Sequence, residues 1–514
     1  MTPSLSKSKL MAYRQCPRRL YLEVKHPERA DVSEASASIM TTGAGVGELA
    51  RSLHPDGHLI EANGDLASAI EQTERLLKAP HRQPLFEATV RHDGVLVRAD
   101  LLIPDGKGWN LTEVKSSTSV KDHYYDDVAI QAFVLQGAGV ALKNLAVQVI
   151  NKEFVYPGNG RYHEVKRNGT FNSLFRQEHV GNEIATVTRK EVPRWIREAR
   201  KVLTGPMPEL TDHCHVPTEC PFQGFCYADG PEYPVECLPR IRATQVKALR
   251  AQGYQDIRDI PDGVLKNPNH ERVRQLTVSG KAELRPVAAE VLTKLAYPRY
   301  YLDFETIQFA VPIWTGTRPY QQLPFQWSCH RERKDGVIEH TEFLDLSGED
   351  PTHAFAEQLI ETLGNRGPIL VYNQAFEGRI IRELATRYRD LAPDLQSLLP
   401  RLVDLMPIAR DNYYHPQMKG SWSIKAVLPT IAPELDYADL QEVRDGGGAQ
   451  QAYLDAISKE TTAKRKAALR KALVRYCGRD TEALVALARF LARRGMARFP
   501  DAPEMSQPNR RHAI

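Results

Sequence analysis

Two acidic side chains stand two positions apart in PRYYLDFETIQ, inside a run that is otherwise aromatic and aliphatic. Such a run predicts a strand, and alternate residues of a strand share a face. Asp303 and Glu305 therefore lie together while Leu302 and Phe304 turn to a core. Two carboxylates held side by side repel unless a cation joins them, so this strand must sit where the fold can collect positive charge. Two later segments bring further acids. GPILVYNQAFEGRIIRELATRY predicts a buried strand followed by a helix with an apolar stripe of Phe376, Ile380, Ile381 and Leu384, and with Glu377 at the helix start. AALRKALVRYCGRDTEALVALARFLARR predicts a long helix that carries Tyr476 and Asp480 one turn apart on one face.

A second constellation lies nearer the start. In LTEVKSS, Glu113 and Lys115 share a strand face and Val114 takes the other. Upstream, VLVRADLLI puts Asp100 in another apolar strand, joined to the first by the turn PDGKGW, so a hairpin brings Asp100 near Glu113. Two carboxylates can hold a hard divalent cation, Mg²⁺ or Mn²⁺, while the lysine positions water or offsets charge on a scissile phosphate. In isolation D…E-x-K is also a common surface ion pair.

Seven cysteines fall at positions 16, 214, 220, 226, 237, 329 and 477. Cys214, Cys220 and Cys226 are each five residues apart, in a Pro-, Gly- and Phe-rich stretch able to fold around a soft metal centre. Structural zinc usually takes tighter pairs, although a zinc loop or plain burial stays open. Cys16, in YRQCPRRLYLEV, is the expected fourth thiolate in preference to Cys237, and such a centre would clamp the front domain's beginning to its end. Cys329 and Cys477 are expected to be core residues.

At 514 residues the chain exceeds one hydrophobic core. Its 42% hydrophobic and 26% charged residues, with no apolar run of 18, exclude disorder and a membrane span. The start lacks the apolar region of a secretory signal, so a cytoplasmic location is expected. Net charge is only +4, yet RKEVPRWIREARK and KRKAALRKALVRY are locally basic and suited either to phosphates or to a solvated helix face. The expected organisation is α/β: a first domain over 1–230, a helical connector over 231–297 with half a helix-hairpin-helix rhythm, a second α/β domain over 298–500, and a frayed tail over 501–514.

LSKSKLMAYRQCPRRLYL, DLLI, EVK and CPFQGFC together resemble the RecB-like branch of the PD-(D/E)XK nucleases with four-cysteine clusters, across residues 4–228. The resemblance implies a restriction-endonuclease-like fold. Asp100 and Glu113 would be metal ligands, Lys115 the catalytic lysine, and Cys16, Cys214, Cys220 and Cys226 the ligands of a [4Fe–4S] cluster. Glu48 stands where such nucleases often carry a metal-binding His, and Gln131 is the substrate-orienting glutamine. Leu135 replaces the tyrosine that usually follows it, leaving Tyr124 or Tyr125 for that part.

The order D-x-E, N-x-x-x-E, Y-x-x-x-D is similar to the DEDDy subgroup of DnaQ-like exonucleases, on an RNase H-like fold. By that resemblance Asp303, Glu305, Glu377 and Asp480 hold two Mg²⁺ or Mn²⁺ ions, Tyr476 orients the attacking water, and Asn373 supports the second motif. Glu377 stands where the family usually has Asp. Asp404, Trp422 and Lys425, in RLVDLMPIAR and GSWSIKAVLP, match segments that line the substrate groove. The pairing of the two modules resembles that of a family of bacterial proteins. The expected activity is a 3′–5′ DNA exonuclease acting on single strands or ends in repair, recombination or defence, with a helicase or similar partner. RNA processing and a nucleic-acid-binding scaffold with decayed sites are the alternatives.

Overall fold

The computed structural model describes residues 4–31, 34–61, 64–165, 171–211, 213–437, 440 and 442–493. The fold is mixed α/β, and the chain divides into two compact units. The first comprises Met1–Asp229 with Gln308–Gln321, the second Gly230–Ile307 with Gln322–Ile514. The expected tail, 501–514, lies outside the described residues.

The first unit opens with β1 (Leu5–Ser6), α1 (Lys7–Gln15), α2 (Pro17–Lys25), α3 (Glu34–Ser52), β2 (His58–Leu59) and α4 (Leu66–Leu77). Then come β3 (Leu85–His92), β4 (Val95–Asp105), β5 (Gly108–Val114), α5 (Asp122–Gly137) and β6 (Leu142–Ile150). A ribbon of β7 (His163–Val165) and β8 (Phe171–Ser173) precedes β9 (Phe175–His179), α6 (Gly181–Thr186), α7 (Val192–Thr204) and α8 (Gln223–Cys226). The main sheet runs β2-β3-β4-β5-β6-β9, with β1 pairing parallel to the first residues of β4. The PDGKGW turn does form a β4–β5 hairpin, pairing Leu101 with Thr112 and Leu102 with Leu111.

One face of this sheet packs Leu102, Leu111, Val147 and Val149 against Val128 and Val134 of α5 and Trp195 and Ile196 of α7. The other gathers Phe86, Leu101, Ile150, Phe154 and Tyr156 with Val46 and Ala50 of α3 and with Ala310. Segment 308–321 thus completes a core of the first unit although its sequence neighbours belong to the second. Thr317 O accepts from Tyr156 N–H at 3.0 Å, and Tyr162 Oη donates to Pro312 O at 3.0 Å.

The second unit contains α9 (Ala243–Ala251), α10 (Pro268–Ser279), β10 (Glu283–Leu284), α11 (Val287–Thr293), β11 (Arg299–Ile307), β12 (Leu323–Glu332), β13 (Ile338–Leu344) and α12 (Thr352–Leu363). It continues through β14 (Ile369–Val371), α13 (Gln374–Arg387), α14 (Ala392–Leu398), β15 (Leu402–Asp404), α15 (Leu405–Asn412) and β16 (Tyr413–Tyr414). Its last helices are α16 (Ile424–Ile431), α17 (Gly446–Ile457) and α18 (Ala463–Leu491). The sheet order is β13-β12-β11-β14-β15, antiparallel up to β11 and parallel beyond it. Leu302 and Phe304 fill the core under α12 and α13, whereas Tyr301 joins the opposite core with Leu484 and Leu487 of α18.

The stretch expected as a connector is instead built into this unit. Val235, Leu238, Leu249, Ile257, Val273, Ala288 and Leu292 share one core with Tyr301, Leu405, Tyr413 and Val427. Their apolar rhythm needed a partner surface, and β16 and α15 supply it. Gly420 marks the closest approach. Its φ is +74°, and a Cβ there would lie 1.6 Å from the Cys237 carbonyl oxygen. A left-handed backbone costs a non-glycine residue about 1–3 kcal/mol by itself. Gly420→Ala is expected to lower stability well beyond that and beyond Gly253→Ala, whose φ is +93° with open space around it. Chemical denaturation of the two variants measures the difference, and equal losses would show that the 237–420 contact is absent.

Candidate active sites

β11 runs between β12 and β14, so both its edges are paired, and helices cover both its faces. On the α18 side it presents Asp303, partly buried, and Glu305, 8% exposed. Three polar ties fix α18 there. Gln326 Nε2 donates to Leu473 O at 2.9 Å, Thr481 Oγ1 lies 2.8 Å from Ser328 Oγ, and His330 Nδ1 lies 2.8 Å from the same hydroxyl. This registration turns Tyr476 and Asp480 toward β11. Asn373, with φ +98°, starts α13, and one turn in, Glu377 is 2% exposed.

Burial comes first among the causes that raise all four carboxyls. Asp303 is pushed far up by burial and then by Asp480, Glu305 and Glu377. Glu305 rises through burial and Asp480, with Lys425 opposing. Burial carries Glu377 up to about 8. It takes Asp480 to about 6, held back by hydrogen bonds from Tyr437 and Tyr476 and by the Lys425 charge. Glu377 Oε2 is buried and without a hydrogen-bond partner. Carboxylates held near one another, with an unsatisfied acceptor among them, could hold a divalent cation. Among the described residues, ligand atoms of Asp303, Glu305 and Cys477 lie within 4.8 Å of one another. Burial and the surrounding acids keep the Cys477 thiol protonated, and its Sγ lies 3.9 Å from the Asp303 carbonyl oxygen as a donor.

The first unit treats its acids differently. Glu113 Oε1 accepts from Lys7 Nζ at 2.8 Å and Lys115 Nζ at 2.6 Å, and Oε2 accepts from Gln131 Nε2 at 2.6 Å. Asp127 takes Lys115 at 2.6 Å, Gln131 at 2.9 Å and Lys7 at 3.0 Å. Burial alone would raise Glu113, but the two ammonium groups hold it far below the usual carboxylate range. Asp100 accepts from Val114 N–H at 2.7 Å, and burial together with Glu113 pushes it up to about 8. With Asp100 protonated, two carboxylates and two lysines balance without an added ion.

Lys7 and Asp127 escaped the sequence reading. Asp127 stands one helical turn before Gln131, a spacing that could have found it. Lys7 arrives because β1 pairs with the start of β4 and Ser6 Oγ caps α1 by accepting from Lys9 N–H at 3.3 Å. Glu48 is not brought to this group. Val46 and Ala50 bury α3 against the sheet face opposite Glu113, which leaves Glu48 exposed. Leu135 is core, and Tyr124, whose ring centroid lies 5.2 Å from Lys115 Nζ, is the aromatic at the lysine.

Cys16, Cys214, Cys220 and Cys226 come together as free thiols, three of them buried. Burial raises Cys220 and Cys226, and Cys214 and Cys16 act on both in the same direction, while Arg19 faces the one and Arg18 the other. Gln15 Nε2 donates to His213 O at 2.9 Å and Thr218 O at 2.7 Å, so α1 already grips the cysteine loop. Cys237 belongs to the second unit and faces Lys419.

The residues expected to line a groove divide. Asp404 is a structural cap, accepting from the N–H groups of Asn373, Gln374 and Met406 at 3.1, 3.0 and 2.9 Å. Trp422 is mostly buried, with Nε1 donating to Tyr413 O at 2.8 Å. Lys425 Nζ donates to Arg444 O at 2.8 Å and stands 5.3 Å from the ring centroids of both Tyr437 and Tyr476. Tyr437, which donates to Asp480 Oδ1, had no motif around it to betray its place.

Residues 300–423 match the family described as "Domain of unknown function (DUF2779)", a span that holds Asp303, Glu305 and Glu377. The chain is 27% identical over 225 residues to the uncharacterized MG366 homolog of Mycoplasma pneumoniae, covering 39% of this chain and 33% of that protein. It is 22% identical over 182 residues to the uncharacterized protein UU173 of Ureaplasma parvum, covering 33% of this chain and 26% of that one. The chain thus aligns with about a third or less of these curated relatives' length.

Proposed function

We propose that the protein is a divalent-metal nuclease whose cutting site is in the second unit, acting as a 3′–5′ exonuclease on DNA. One observation carries this reading: Asp303 feels the charges of Asp480, Glu305 and Glu377, which come from three separate elements, while Glu377 Oε2 is buried and unsatisfied. The DnaQ-like motif order and the mixed five-stranded sheet with two acids on its central strand support an RNase H-like fold. The β4–β5 hairpin with Asp100, Glu113 and Lys115 supports a PD-(D/E)XK-like first unit.

The four carboxylates would hold Mg²⁺ or Mn²⁺, which lowers the pKa of water and draws charge from the scissile phosphate. Tyr476 keeps its proton, because burial and Asp480 push the phenol well above its usual range, so it orients water as a donor. Tyr437 does the same for Asp480. Lys425 offsets part of the acidic charge between substrate arrivals. In the first unit both oxygens of Glu113 and of Asp127 already have cationic or amide donors. That favours a nucleic-acid-holding role there over a second cutting site.

Asp303→Asn and Asp480→Asn should abolish Mn²⁺-dependent release of nucleotides from the 3′ end of labelled single-stranded DNA, and Tyr476→Phe should slow it about 10²-fold. Asp100→Asn should leave that release nearly intact. Full activity in Asp303→Asn would sink the assignment, and turnover of RNA in place of DNA would shift the substrate to that polymer.

Raised carboxyls bind protons in the folded state that the unfolded chain has lost. Stability in a chelator should therefore fall as pH rises from about 4 toward about 8, the range spanned by Asp480 near 6 and Glu377 near 8. Mn²⁺ takes over the protons' role and should flatten the slope. Melting curves across that range, with and without Mn²⁺, measure this, and an unchanged slope would exclude a cation at the four acids.

The four thiols, without disulfides and with Arg18 and Arg19 beside them, fit a [4Fe–4S] cluster, which would supply a covalent clamp between α2 and the loop before α8. Anaerobically purified protein should be brown with about four irons per chain, and Cys220→Ser should lose both colour and stability. A colourless zinc protein would replace the cluster with a structural zinc site.

A further inference from the structure

We infer that a basic cleft in the second unit, built by the segment that precedes β11, is the entry track for a single strand of nucleic acid on its way to the four acids. The inference rests on the nuclease reading and adds where the polymer is held. The cleft has a volume of about 790 Å³ and is lined by Arg240, Arg242 and Arg410 along its rim, with Trp422 and Met406 as its apolar wall.

The rim charge is available. Arg240 and Arg242 are exposed and, among the described residues, carry no ion pair, and Arg410 pairs there with the exposed Asp411 at 2.9 Å. Behind Trp422, the Arg272 guanidinium stands 5.9 Å from the indole centroid, and its Nη2 is buried without a hydrogen-bond partner. The first turns of three helices also border this space: α9 is preceded by Arg242, α10 by Asn267 and α16 by Ser423, all lining residues. Guanidinium groups and helix starts on one side, with an aromatic edge on the other, suit alternating phosphates and bases.

The start of α16 stands between the cleft and the neighbours of the acids in sequence. Ser423 lines the cleft, and two residues on, Lys425 stands over Tyr437 and Tyr476, the hydrogen-bond partners of Asp480. Tyr372, which precedes the Asn373 turn, donates to Trp422 O at 2.5 Å. The elements that shape the cleft wall are therefore those that position the site.

Fluorescence anisotropy of a labelled oligothymidylate with the full chain in a chelator tests this. Arg240→Ala, Arg242→Ala and Arg410→Ala combined should weaken binding at least about tenfold and reduce the salt dependence of log Kd by about 2, the loss expected for three phosphate contacts on a single strand. The same positions changed to Lys should retain most of the affinity. An Arg382→Ala, Arg389→Ala variant, altered on another basic surface of the same unit, should bind like the parent. If the parent chain binds and cuts DNA while the triple alanine variant binds equally well with an unchanged salt slope, the cleft is not the track and the nuclease reading survives. If the parent neither binds nor cuts any polymer, both readings fall together.

Discussion

Carboxyl groups buried within reach of one another cannot all ionise unless positive charge is brought to them. In the second unit Asp303 is raised by burial and then by Asp480, Glu305 and Glu377, and Glu305 by burial and Asp480, and much of the surrounding structure answers to it. β11 is central because only a covered strand can hold its two acids rigidly. α18 is pinned to β12 by Thr481, Ser328 and His330 immediately beside Asp480. Lys425 and two protonated tyrosines stand where they lower the cost of the charge without neutralising it. What remains is a deficit of positive charge at a fixed place, which is what the proposed cation would make good.

The first unit resolves the same difficulty in the opposite way. There Lys7 and Lys115 lie within 3.0 Å of both Glu113 and Asp127, and Gln131 spans the two acids. Buried ion pairs of this quality are expensive to break, because removing one partner leaves a desolvated charge behind. A divalent cation entering this group must displace an ammonium, whereas one entering the second site displaces only protons. Equivalent motifs therefore do not imply equivalent sites.

Legibility in the sequence followed periodicity. The faces of β11, the β4–β5 hairpin and the helix bearing Tyr476 and Asp480 were all readable, since each rests on residues close together in the chain. Cys16, expected in preference to Cys237, acts on Cys220 and Cys226, whereas Cys237 faces Lys419. What escaped was whatever depends on a distant partner. Lys7 reaches Glu113 only through the pairing of β1 with β4, and Tyr437 reaches Asp480 from a loop without a repeating pattern. Glu48 sat at a plausible spacing, but the burial of Val46 and Ala50 turns it away from the acids. The stretch 231–297 looked like a connector because its apolar residues are spread over short helices, and the core they complete lies more than a hundred residues further on.

Segment 308–321 shows why chain order alone misplaces domain boundaries here. It leaves β11 three residues after Glu305, and it belongs to the first unit, where Ala310, Val311 and Tyr320 pack with Phe154 and Tyr156. Tyr320 Oη donates to the carbonyl of Ser116, the residue after Lys115. The turn that follows Lys115 in the first unit is thus held by a residue encoded between the first two strands of the second unit's sheet. A fragment cut at residue 230 would keep every motif of the first constellation and lose part of what fixes its geometry. The hairpin loop that elsewhere would be free to vary is here committed to packing, so the two units are folded from one interleaved chain and cannot be separated at a single peptide bond.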